Sequence, residues 1–337
     1  MGRRKLKWGI MGCANIAIHS VIPGTQASET GEVVAIASRD FAKAQQAAAK
    51  ANIPRAHGSY EALLEDPAVD AVYIPLPNDL HKEWTIKAAQ AGKHVLCEKP
   101  MALHTQEVKQ MVEAAEQAGV CLAEAFMYRH HPRYEQLEAV LRSGEIGEIR
   151  GIHSNFTFHG AIDKPNVRYV QAMGGGSLYD VGVYPISVAR MILGTEPEAA
   201  TVHALYSKQH DDVDMMAAGL IEFPNYVALT FDCGMWAYFR NELEVLGTKG
   251  RIQVPSAFVN PGKENSYFEI VTQAGQRLVE TPHVNQYAMQ ADAFALAVWG
   301  EKPLRFGAQD AVRNMRVLDA CLQSARERRR IEIVVEN

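Results

Sequence analysis

The chain has 337 residues, 47% hydrophobic and 22% charged, with a net charge of −5. This is globular composition, and the length suits two domains, because single cores stop growing near ~250–300 residues. The charge balance excludes an electrostatic case for nucleic acid or a membrane surface, and the short basic stretches Gly2-Arg3-Arg4-Lys5 and 326–330 read as solvated ends.

The two arginines near the start are not read as an export signal. Asn15 and His19 interrupt the apolar stretch after them, and no small-residue cleavage site follows. No run approaches the ~18 apolar residues of a spanning helix. The five cysteines (13, 97, 121, 233, 321) are scattered and never spaced C-x-x-C, which supports neither a disulfide framework nor a zinc site. A cytoplasmic protein without a metal is expected.

In the first third, short apolar runs at 6–11, 33–37, 71–76, 94–97 and 120–123 alternate with helical stretches at 15–22, 41–51, 79–91 and 105–118. Strands regularly separated by helices predict βαβ units and a doubly wound parallel sheet, with ligands at the carboxyl ends of the strands. The first strand runs into "KWGIMGCANIA" at 7–17. Gly12 ends the strand, and a helix from Asn15 would turn its free N–H groups toward a pyrophosphate. Ala14 and Ala17 stand where the dinucleotide fingerprint has its second and third glycines. Gly12, Ala14, Asn15 and Ile16 are therefore the candidate phosphate cradle, with the Ala14 methyl its weak point.

The second strand ends at "VAIASRD". An NAD site places an acid at that tip to accept from both ribose hydroxyls. Ser38 and Arg39 instead offer a hydroxyl and a guanidinium, the groups that suit a 2′-phosphate, so NADP(H) is favoured over NAD(H). Asp40 competes, but it directly precedes a helix and reads as its N-cap.

Past residue 125 the pattern changes. A helix is predicted over 133–142, then longer strands at 149–159, 201–207, 214–223, 226–235 and 241–254. "YVALTFDCGM" alternates strictly, with Val227, Leu229, Phe231, Cys233 and Met235 on one face and Ala228, Thr230 and Asp232 on the other. The expected layout is a Rossmann domain over 1–125 and, over 126–337, an α+β domain with a large, mainly antiparallel open sheet. The polar outer face of that sheet could meet a partner subunit.

Two further stretches carry candidate chemistry. "AGKHVLCEKP" (91–100) leaves Glu98-Lys99-Pro100 at a strand's carboxyl end. "GGGSLYDVGVYPIS" (174–187) leads three glycines into a helix where Asp180 and Tyr184 are four apart and share a face. Pro185 cannot donate to the carbonyl of Val181, so the backbone beside that pair is irregular. The glycines also read as a plain flexible loop, and Tyr184 as a packed aromatic.

Together with "YIPLPNDLHKEWTIKAAQAGKHVLCEKPMAL" (73–103) and "EAFMYRHHP" (124–132), these motifs make the chain resemble, over nearly its whole length, the glucose–fructose oxidoreductase / inositol dehydrogenase / rhizopine-catabolism family of NAD(P)-dependent dehydrogenases. The resemblance implies a Rossmann domain followed by a substrate domain whose open sheet often pairs between subunits, hence a homodimer or homotetramer. It implies that Lys99 contacts substrate and cofactor ribose. Many members carry a His where this chain has Tyr184. That departure is shared with the branch of dihydrodiol dehydrogenases, xylose 1-dehydrogenases and nucleotide-sugar ketoreductases.

Hydride transfer at a carbinol carbon needs one group to move the hydroxyl proton. A tyrosine is a poor base at neutral pH, and a neighbouring ammonium favours the phenolate, which Lys99 can provide. Asp180 can orient substrate or lysine, and Arg168 can reach the substrate. Leu76, Asn78, His81 and Glu98 are expected to line the cofactor. His130 and His131 point apart, so no metal is assigned. The expected activity is NADP-dependent oxidation or reduction of a sugar, polyol or cyclic diol. A nucleotide-sugar ketoreductase and a non-catalytic dinucleotide sensor are the alternatives.

Overall fold

The computed structural model describes residues 5–160, 165–259 and 266–334. The basic start Gly2-Arg3-Arg4 lies outside them. The chain divides into two compact units: Met1–His130 with Val284–Val312, and His131–His283 with Arg313–Asn337.

The first unit is built on six parallel strands: β1 (Leu6–Met11), β2 (Gly31–Ala37), β3 (Arg55–His57), β4 (Ala71–Ile74), β5 (His94–Cys97) and β6 (Leu122–Glu124). Their order is β3-β2-β1-β4-β5-β6, so the winding reverses between β1 and β4. Strand order reversal is where a doubly wound sheet opens a crevice for a ligand. The helices Phe41–Ala51, His81–Gln90 and Thr105–Ala118 lie where the sequence places them. β3 and the short helix Tyr60–Glu65 escape sequence reading, because three- and six-residue elements carry almost no periodicity.

The core of this unit gathers Leu6, Trp8, Ile10, Ile36, Tyr73 and Leu96, and Phe294 joins it from the far end of the chain. The Trp8 and Phe294 ring centroids are 5.2 Å apart. Asp292 accepts from the Thr30 amide at 3.0 Å and from its hydroxyl at 2.5 Å. The helix Gln286–Val298 thus belongs to the first unit, whereas a boundary near 125 assigns all later residues to the second. The reason is burial. The helix has an apolar side with nothing local to cover it, and each large apolar side chain buried contributes ~1.5–3 kcal/mol.

Among its described residues the second unit carries nine strands: β7 (Ile149–His159), β8 (Ala199–Ser207), β9 (Val213–Phe223), β10 (Val227–Gly234), β11 (Trp236–Gly247), β12 (Gly250–Val254), β13 (Tyr267–Thr272), β14 (Gly275–Glu280) and β15 (Ile331–Glu332). The order is β14-β13-β12-β11-β7-β10-β9-β8-β15, and within this sheet β7 and β10 are the one parallel pair among the described strands. Val227, Leu229, Phe231 and Cys233 are buried along β10, and the helix Val183–Leu193 packs on β7 and β10. On the opposite face the register aligns Leu220, Thr230, His153 and Glu244 across four strands. Among the described residues no helix is long and apolar enough to cross a membrane.

Candidate functional site

In the first unit the site grows from the turn after β1. Gly12 has φ +108°, and a Cβ placed there would come within 3.1 Å of Leu76 Cδ2. Only glycine accepts that backbone without strain. Its N–H donates to Ala37 O at 2.8 Å, which fixes the turn to the end of β2. Residues 15–27 form one helical run that includes a π turn at Ala17–Val21. Ile18 N–H donates to Ala14 C=O at 3.1 Å, and the amides of Asn15, Ile16 and Ala17 precede that bond. Such leading amides have no intrahelical acceptor, the arrangement that holds a phosphate.

At the tip of β2, Ser38 is half-buried and Arg39 exposed. Asp40 caps the next helix, its carboxylate accepting from Lys43 N at 3.3 Å. This takes Asp40 out of contention for the ribose. Ser38 Oγ accepts from Asp40 N at 3.1 Å. The Cys13 thiol lies against Ser38 and near Lys43, and burial pushes its pKa up. These residues fit a 2′-phosphorylated dinucleotide: a glycine cradle at the switch point, and cations rather than an acid at the second strand's end.

The loops after β4 and β5 hold the other candidates. Asn78 opens a 3-10 turn through Leu80. His81 corrects the expectation that it lines the cofactor. It is fully buried, with Nδ1 2.9 Å from Pro100 O and Nε2 2.8 Å from Leu76 O. The ring therefore clamps the two loops together and presents no polar atom to a ligand. Burial lowers its pKa against the pull of both carbonyls. Glu98 is likewise engaged: Tyr73 Oη donates to Oε1 at 2.5 Å and Lys99 N–H to Oε2 at 3.2 Å. Burial, helped by the Glu98 charge, pushes Tyr287 up to about 12. Lys99 is half-buried and follows directly at the β5 end.

In the second unit the structure brings Arg168, Asp180 and Tyr184 together. Arg168 Nε donates to Asp180 Oδ2 at 2.6 Å, and the Asp180 charge raises the arginine's pKa, with Tyr184 adding to it. Tyr184 is buried among aromatics, its ring centroid 5.0 Å from Phe156 and 5.2 Å from Phe258. A π turn at Leu178–Gly182 runs into the helix Val183–Leu193. This is the irregularity Pro185 imposes.

The glycine run is no slack loop. A Cβ at Gly175 would sit 2.6 Å from Arg168 O, and one at Gly176 would be 2.1 Å from Asp214 Oδ1. Gly176 N–H also donates to Arg168 O at 3.0 Å. Asp214, missed in the sequence, accepts from Ser177 Oγ at 2.7 Å and Leu178 N at 2.8 Å, so it anchors the start of the helical segment that bears Asp180 and Tyr184. Burial raises its pKa to about 6. Its one sequence signal is a lone acid within the otherwise apolar stretch "VDMMAAGL" (213–220). His130 and His131 both titrate low, at about 4, chiefly through burial. No group of potential metal ligands assembles among the described residues.

A doubly wound sheet with a glycine turn at its switch point is the architecture that holds a dinucleotide. Residues 6–126 match the model of an oxidoreductase family with an NAD-binding Rossmann fold, and residues 134–253 match the GFO/IDH/MocA C-terminal domain. The chain belongs to the GFO/IDH/MocA family of oxidoreductases. An NADP(+)-type D-xylose 1-dehydrogenase of Haloferax volcanii is 40% identical, over 97% of this chain and 100% of its own. A dTDP-3,4-didehydro-2,6-dideoxy-alpha-D-glucose 3-reductase of Actinomadura kijaniata is 35% identical, over 96% of each. The crystal structure of a 3-ketoreductase from that organism, in complex with TDP-benzene and NADP, is similar with a TM-score of 0.87 and 34% identity, covering 95% of this chain and 98% of that one.

Proposed function

We propose that the protein uses NADP(H) to interconvert a carbinol and a carbonyl on a sugar, polyol or cyclic diol. The observation that carries this reading is the Arg168–Asp180–Tyr184 cluster, a buried phenol beside an ion pair. NADP, when bound, supplies or accepts the hydride. Gly12, Ala14, Asn15 and Ile16 hold its pyrophosphate, and Ser38 and Arg39 its 2′-phosphate. Leu76, Asn78 and the backbone at Glu98 border it. Tyr184 carries the hydroxyl proton of the substrate. Asp180 fixes Arg168, and both orient the substrate. Lys99 supplies a positive charge to the reacting groups. The xylose dehydrogenase relative supports the sugar class and NADP.

A nucleotide-sugar ketoreductase is the second reading, supported by the Actinomadura relative. Against it, Arg168, the cation of the cluster, is neutralised by Asp180. A non-catalytic dinucleotide sensor would need neither Lys99 nor Tyr184. Following NADPH absorbance over free sugars, polyols, cyclic diols and a nucleotide sugar separates these readings. Turnover with free sugars or diols supports the first, turnover with the nucleotide sugar alone the second, and silence in every arm the sensor.

We further propose a cytoplasmic homodimer or homotetramer assembled through the second unit's sheet. All five cysteines are free thiols, as a reducing compartment keeps them. Leu205, Leu220, Trp236, Tyr238 and Phe239 are exposed on the sheet strands, apolar area of the kind that invites pairing. Sedimentation at micromolar concentration is expected to show two or four copies. A single 37.2 kDa species would refute the assembly.

A further inference from the structure

We propose that Asn241 is a positioning residue for Tyr184: its buried amide fixes the loop 255–259, which holds the Phe258 ring against the phenol. The inference rests on the reading of Tyr184 as proton carrier and adds a residue that acts on it through another side chain.

Asn241 lies on β11, directly opposite Phe156 of β7, and is 2% exposed. Its side chain is committed to one short stretch of chain. Oδ1 accepts from Phe258 N at 2.7 Å and from Val259 N at 3.2 Å, and Nδ2 donates to Val259 O at 3.0 Å. Its backbone carbonyl accepts from Ala257 N at 2.8 Å. The set requires a carboxamide, since an ionised carboxylate has no hydrogen to give and an apolar side chain offers neither group. The loop needs such a partner because Ser256, Ala257 and Phe258 are all buried, and buried backbone groups must be paired inside the protein. The helix Arg133–Ser143 supplies the rest. Tyr134 Oη donates to Ala257 O at 2.8 Å, and Arg133 Nη1 donates to Ser256 O.

What the loop carries is Phe258. Its ring stacks on Phe156 with centroids 5.6 Å apart and planes 13° apart, and it meets Tyr184 at 5.2 Å and 50°. Phe156 meets Tyr184 as well, at 5.0 Å and 63°. The phenol thus stands against two rings that also brace each other, which restricts how far it can swing. Reaction geometry is unforgiving, and a displacement of about 1 Å can cost ~10²-fold in rate. An asparagine that only stabilised the loop would affect melting and leave turnover alone.

The test compares Asn241→Asp, Phe258→Leu, the two combined, and Tyr184→Phe. The first keeps the oxygen for both amides and loses the hydrogen given to Val259 O. The second leaves the loop bonds in place and removes the ring. kcat, KM and melting temperature are measured at saturating NADP with the sugar or diol that turns over fastest. Each single variant is expected to lower kcat by ~10–100-fold with KM within about 3-fold, the pattern of lost alignment rather than lost binding. The combined variant should lose no more than the worse single one, because both changes act through one ring. Losses that multiply, or a lower melting temperature with kcat unchanged, would overturn the inference. Where Asn241→Asp fails to fold, Asn241→Ser, whose hydroxyl still accepts one amide, takes its place in the cycle. If Tyr184→Phe loses turnover while the other variants keep it, the inference alone fails. If Tyr184→Phe keeps its turnover, the proton-carrier reading fails and the inference with it.

Discussion

Tyr184→Phe is expected to lower turnover by ~10²–10⁴, the usual weight of a positioned general acid or base. The ring stays, so its contacts with Phe156 and Phe258 survive and stability should hold. NADP affinity should change little, because the phosphate turn and the β2 tip are untouched. On the proposed reading, in which Lys99 supplies a positive charge to the reaction, Lys99→Met should also cut turnover. The contrast between the two variants identifies the proton carrier. Were Lys99 to move the proton, Tyr184→Phe would keep most of its turnover and show chiefly a raised KM. Steady-state kinetics of both variants at saturating NADP reads the difference directly.

The second large effect concerns the cofactor. Wild type should bind NADP(H) more tightly than NAD(H) by ~10–100-fold, as one charge-assisted contact of about 1.4–2.8 kcal/mol gives. Ser38→Asp combined with Arg39→Ala should reverse the preference, because an acid at the strand tip accepts from both ribose hydroxyls and repels a phosphate. The surroundings favour a clean reversal. Asp40 is committed to its cap at Lys43 N, so a new acid at position 38 would not compete with an old one for the ribose. Titration of both cofactors into the apoprotein checks it, and equal affinities in wild type would remove the basis of the assignment.

Much of the fold was legible because it is written locally. The alternation of strands and helices, the turn at Gly12, the cap at Asp40 and the two faces of β10 are each encoded within a few consecutive residues. Backbone propensity, side-chain periodicity and capping chemistry act over that range. The family motifs at 73–103 and 174–186 likewise marked Lys99, Asp180 and Tyr184.

The sequence alone did not determine which polar groups would be used up inside the protein. His81 looked like a ligand at a helix start, yet its two nitrogens meet Leu76 and Pro100, and the turn at Pro100 is a different stretch of chain. Asp214 and Gly176 are 38 positions apart, and the close approach that forbids a side chain at Gly176 exists only once β9 is in its sheet. The return of Gln286–Val298 to the first sheet has the same origin. An apolar helix face states that it must be buried, and not against what. Partner choice is settled by contacts between residues as distant as Trp8 and Phe294, through the apolar area both remove from water, and that lies beyond the reach of any local pattern.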